Sequence, residues 1–213
     1  MKRLNKISKE KAQRILFIAV LVLVFGVFFI SLSLLNPGEN PTPNDPDPPI
    51  EEPEEPEVEY ETIIAPYKAA NIEIIRRFWS QDKEKEIQEM SMFVYDTRYT
   101  MSRGISFAAA ENENFEVVAS LSGIVKEISN SDIYGKVVFI EHEDGLVTEY
   151  WSLSEVSVET GDEVAQGDKI GISGESSYDM SAENHIHFRI LVNGIPTDPE
   201  LLIGKAVNEI NAN

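Results

Sequence analysis

The spacing of apolar residues changes three times along the chain. From Ile15 to Leu35 the run is apolar without a single charge. At about 1.5 Å per residue, some 20 such residues cross a hydrocarbon core of roughly 30 Å. From Asn36 to Glu61 apolar residues thin out between Pro37, Pro41, Pro43, Pro46, Pro48, Pro49, Pro53 and Pro56, with many acidic residues and no Lys or Arg. Proline holds such a stretch near polyproline II and like charges extend it, so it predicts a solvated stalk.

From residue 62 to 97 the pattern is mixed. Asn71 to Trp79 has apolar residues on both faces and predicts a buried strand, with Phe78 and Trp79 in the core. Asp82 to Met90 predicts a short helix capped by Asp82, and Met92 to Tyr95 a second strand. After Gly104, short Val- and Ile-rich runs alternate with turn residues: Phe115 to Ala119, Ile124 to Ile128, Val137 to His142, Leu146 to Trp151, Val156 to Val158, Asp168 to Ile172 and His185 to Val192. Asp144-Gly145, Gly161, Gly167 and Asn193-Gly194 punctuate them. That alternation predicts a mainly β domain, a barrel or packed sheets, preceded by one short helix.

Charge gives the chain a direction. Lys2, Arg3, Lys6, Lys9, Lys11 and Arg14 face only Glu10 ahead of the apolar run. Basic flanks stay in the cytoplasm, which predicts a cytoplasmic tail (1–14), one transmembrane helix (15–35), a stalk (36–61) and an extracytoplasmic remainder. The formal net charge of -19 argues against nucleic acid, which needs clustered cations, and favours a partner with a basic face. With no cysteine, thiolate metal sites and cysteine nucleophiles are excluded.

Two of the three histidines, His185 and His187, stand one residue apart, so on a strand both point to one face, like half of a metal site. His142 precedes the Glu143-Asp144-Gly145 turn, where the expectation is a solvent-facing ring. Asp179, Glu183 and Asp198 lie near the pair at no recognisable ligand spacing.

Six segments then agree in order and spacing with one family: Leu121-Ser122-Gly123-Ile124-Val125, Gly135 to Val138, Gly145 to Tyr150, Val158 to Val164, Gly167 to Gly171, and His185 to Ile190. They resemble the LytM-type, M23 family of zinc peptidases, which cut peptide cross-links in bacterial walls, over about residues 98 to 203, leaving 62–97 as an extension and 204–213 as a tail. The resemblance implies zinc ligands at Ser102, Ser106 and His187, and water-assisting histidines at Ser152 and His185. Three of those five positions hold serine. Catalytic zinc needs about three protein ligands, and a neutral hydroxyl is a poor substitute for imidazole or carboxylate. The expectation is therefore no catalytic residue, no metal and no cofactor, with Ser102, Ser106, Ser152, His185 and His187 as a degenerate remnant whose histidines are packed and hydrogen-bonded.

Arg98 to Ile105, Ala119 to Gly123, Ser152 to Glu159 and Asn184 to Phe188 resemble a branch of that family from endospore-forming bacteria. That implies a forespore membrane protein whose domain lies between two membranes and grips the ectodomain of a mother-cell protein, stage III sporulation protein AH. A peptidoglycan-binding or hydrolase-activating module is the second expectation, and an active zinc endopeptidase the third, against which the ligand count stands.

Overall fold

The structure, a computed structural model, describes residues 60–210. The predicted tail (1–14), membrane span (15–35), the stalk as far as residue 59 and the last three residues lie outside the described residues. Among the described residues no helix is long and apolar enough to cross a membrane.

The strands are β1 (Ile72–Arg76), β2 (Met92–Tyr95), β3 (Arg98–Met101), β4 (Ile105–Ala109), β5 (Glu116–Val118), β6 (Gly123–Ser131), β7 (Gly135–Glu141), β8 (Leu146–Val156), β9 (Glu163–Val164), β10 (Lys169–Ser173), β11 (Ile186–Val192) and β12 (Ile195–Thr197). Two short helices accompany them, α1 (Lys85–Met90) and α2 (Val207–Ile210). Ten strands form one antiparallel sheet in the order β1-β4-β11-β8-β7-β6-β9, with β10 bridging β8 to β5 and β12 added to β11. β2 and β3 make a separate hairpin.

Period-two alternation explains the two faces of this sheet. On β11, Ile186, Phe188 and Ile190 are fully buried in the core, as are Ile105 on β4, Leu146 and Tyr150 on β8, and Val138 and Ile140 on β7. Tyr150 and Phe188 pack ring against ring at 5.2 Å. Residues between them, Ser106, His187 and Arg189, face the other way. Asn193 and Gly194 both take positive φ (51° and 79°) between β11 and β12, the conformation a tight hairpin turn requires.

Several expectations need adjusting. The helix begins at Lys85 after Glu84, with no side-chain cap, so Asp82 does not cap it. Val156 to Val158 is not a strand of its own: Val156 ends β8, whose last residues turn to pair with β10. Phe78 is buried, whereas Trp79 is only half-buried. Strands β3, β4, β9 and β12 were not expected from the pattern.

Candidate functional site

Register brings the serine and histidine positions together. His187 on β11 lies opposite Ser106 on β4 and, on its other side, opposite Trp151 on β8. Directly opposed side chains touch, and Ser106 Oγ is 3.0 Å from His187 Nδ1. The second pair depends on an irregularity in β8, where the register against β7 shifts between Val138 and Lys136 and Ser152 takes a φ of 66°. Such a bulge re-aims a side chain. Ser152 Oγ stands 3.1 Å from His185 Nε2 and 2.9 Å from Ser176 Oγ.

The tautomer of His185 follows from its partners. Its Nδ1 lies 2.8 Å from the Glu183 carbonyl, which can only accept, so Nδ1 carries the proton and Nε2 accepts from Ser152. Ser176 then donates to Ser152. Burial pushes the pKa of both histidines down; for His187, the neighbouring His185, Arg189 and Arg76 add to burial and take it to about 3. Both rings are neutral at neutral pH.

Aromatic side chains close the space above His187. Trp151 and Tyr178 meet its ring edge-on at 5.5 and 6.0 Å, and Tyr178 also packs on Tyr134, Phe93 and Tyr95. His187 is left 3% exposed. Two ion pairs hold this layer. Arg189 donates to Glu149 at 2.7 Å with its guanidinium 5.0 Å over the Trp151 ring, while Trp151 Nε1 donates to the same carboxylate. Burial still raises the Glu149 pKa, against the pull of Arg189. Arg76 pairs with Asp179 and lies 5.3 Å over Phe93.

These residues do not fit a zinc centre. Ser102 turns its hydroxyl onto the Gly104 carbonyl at 2.7 Å. Ser106 occupies Nδ1 of His187, and the carboxylates of Asp179 and Asp198 are engaged by Arg76 and Lys83. One imidazole among hydroxyls is short of the three donors a catalytic zinc needs. Among the described residues no three His, Cys, Asp or Glu side chains cluster as a metal site would require.

Of the five expected remnant positions, the structure thus joins four in two Ser–His pairs and leaves Ser102 bonded to its own loop. Sequence reasoning did not single out Ser176, Trp151 or Tyr178 as site residues: Ser176 reaches Ser152, and the Trp151 and Tyr178 rings reach His187, only through the fold. His142 is a correction. Far from facing solvent, it is buried, with Nδ1 donating to the Ser122 carbonyl at 2.8 Å and Nε2 2.7 Å from Thr148 Oγ1. Its position before a turn suggested exposure, but the ring folds inward onto the buried Thr148 and Tyr150 hydroxyls.

Comparisons with known proteins fit this geometry. Residues 100–199 match the model of peptidase family M23. Stage II sporulation protein Q of Bacillus subtilis (strain 168) is 41% identical over 140 residues, 66% of this chain and 50% of that protein, so the match spans about half the relative's length. A chain in the solved structure of the SpoIIQ-SpoIIIAH pore forming complex superimposes with a TM-score of 0.70 at 38% identity, covering 73% of this chain and 99% of the other. The peptidoglycan DD-endopeptidase ShyC of Vibrio cholerae is 33% identical over 103 residues, 45% of this chain and 23% of that enzyme.

Proposed function

Because the chain belongs to peptidase family M23, among the relatives of stage II sporulation protein Q, we propose that it is a non-catalytic, membrane-anchored docking module whose partner is the ectodomain of a stage III sporulation protein AH-like protein. One observation carries the non-catalytic part: His187 is bonded to Ser106, at a position where the family supplies a metal ligand, and His185 to Ser152, where it supplies an assisting histidine, with Trp151 and Tyr178 packed on His187. The anchor is residues 15–35 and the stalk 36–61, which place the domain outside the cytoplasm, between the forespore and mother-cell membranes.

Docking has a physical route in the free edge of β6. The two-residue β9 covers only Gly123 and Ile124, and Val125 bonds Asp162 and Gly161. Beyond Val125, alternation of the β6–β7 ladder turns the backbone N–H and C=O of Ile128 and Asn130 outward, where no described strand pairs with them. An unpaired edge accepts a partner strand through main-chain hydrogen bonds.

The test is capture of a purified AH-type ectodomain by the detergent-solubilised full chain. A stable complex at micromolar concentration supports the reading; no complex at tens of micromolar defeats it. A second reading, peptidoglycan binding or hydrolase activation, is favoured by the half-buried Tyr134, Trp151 and Tyr178, whose faces suit stacking on sugar rings. Co-sedimentation with purified sacculi in the absence of any partner protein distinguishes it.

A further inference from the structure

A groove of about 660 Å³ opens at the end of the sheet where β9 covers β6. Leu121, Val164 and Val207 line it, together with Ile124, which is 50% exposed. Its other wall is the β7–β8 turn, with the Glu141, Glu143 and Glu163 carboxylates around it. No lysine or arginine lines it. His142 in its wall is neutral, because burial lowers its pKa and both ring nitrogens are engaged.

Of the carboxylates, Glu141 is bonded to Lys126, while Glu143 and Glu163 make no ion pair or hydrogen bond through their side chains among the described residues. An apolar floor beneath uncompensated negative charge suits a chain that alternates apolar and cationic side chains. Residues 36–59, which precede Tyr60 in the sequence, carry many acidic residues and no Lys or Arg, the wrong charge for a groove walled by carboxylates.

We propose that this groove receives an extended, lysine- or arginine-bearing apolar segment of a partner protein, its apolar side chains on Leu121, Ile124 and Val164 and its cations against Glu143 and Glu163. The proposal rests on the docking reading and adds to it where the partner engages and with what chemistry. The groove lies at the end of β6 that β9 covers, and the free edge begins beyond Val125 on the same strand.

The probe is a fluorescein-labelled hexapeptide of alternating lysine and valine, titrated by fluorescence anisotropy against the full chain in neutral detergent. Glu143→Gln with Glu163→Gln should weaken binding about five- to tenfold. Glu84→Gln with Glu86→Gln, which removes the same charge at α1, should change it less than twofold. Ile124→Ser should weaken it by a similar factor without altering salt dependence, and deleting residues 1–14 should leave it unchanged. The proposal falls if both double variants weaken binding equally, if a lysine–serine peptide binds as tightly, or if deleting residues 1–14 tightens binding, which would make the basic tail the occupant. Failure with the peptide while the AH-type ectodomain is still captured removes the groove alone; loss of that capture removes the docking reading.

Discussion

Each cleft histidine has exchanged water for a serine hydroxyl and a low-dielectric surround, and the consequence is measurable as acid sensitivity. His187 titrates near 3 in the folded chain and near 6.5 when unfolded, so the unfolded state takes up its proton first. The stability this ring contributes is fully present above about pH 6.5 and is lost as pH falls towards 3, at up to about 1.4 kcal/mol per pH unit. His185 and His142, also lowered, act in the same direction, while the raised Glu149 opposes them at the acid end. Urea unfolding at pH 7.5, 6 and 5 should therefore show falling stability, with a shallower fall in His187→Gln, a comparison in which Glu149 cancels. Ser106→Ala removes the Nδ1 partner of a buried ring and should cost about 1–2 kcal/mol in the same assay. The identities of the five positions were legible from the family's motifs. Their contacts were not, because Ser106 lies 81 residues from His187 and only sheet register makes them neighbours.

Strands with clean alternation and glycine turns, such as β7, β8 and β11, were legible because one face must meet the core and the other must not. Those that escaped were short, as β9 and β12 are, or ran without a polar face, as β4 does: its Ser106 looks like an interruption until β11 is laid beside it. The crossing of these two strands is tight. A Cβ at Gly104 would sit 2.3 Å from the Phe188 carbonyl oxygen, so Gly104→Ala should force β4 from β11 and cost about 2 kcal/mol or more, read as a lowered urea midpoint. The β6 edge gives the opposite kind of prediction. Asn130→Pro places a ring where an outward N–H would meet a partner, a position an edge strand tolerates. It should leave the urea midpoint nearly unchanged and reduce ectodomain capture about tenfold, tested by titrating wild type and variant side by side.

On the scale of the whole molecule, the aromatic layer over His187 draws on Phe93, Tyr134, Trp151 and Tyr178, contributed by four separate stretches of chain. No local pattern announces it, which is why the sequence could indicate missing ligands but not that their space is filled. With the cleft closed over His187, the docking reading turns on the sheet edge and the acidic groove. The docking reading thus depends on a centre that holds no metal, and the direct measurement is zinc content by plasma mass spectrometry after the full-length protein has been equilibrated with excess zinc and passed through a desalting column. Far less than one zinc per chain is expected, unchanged in His187→Ala. One tightly held zinc per chain, lost in His187→Ala, would contradict the account.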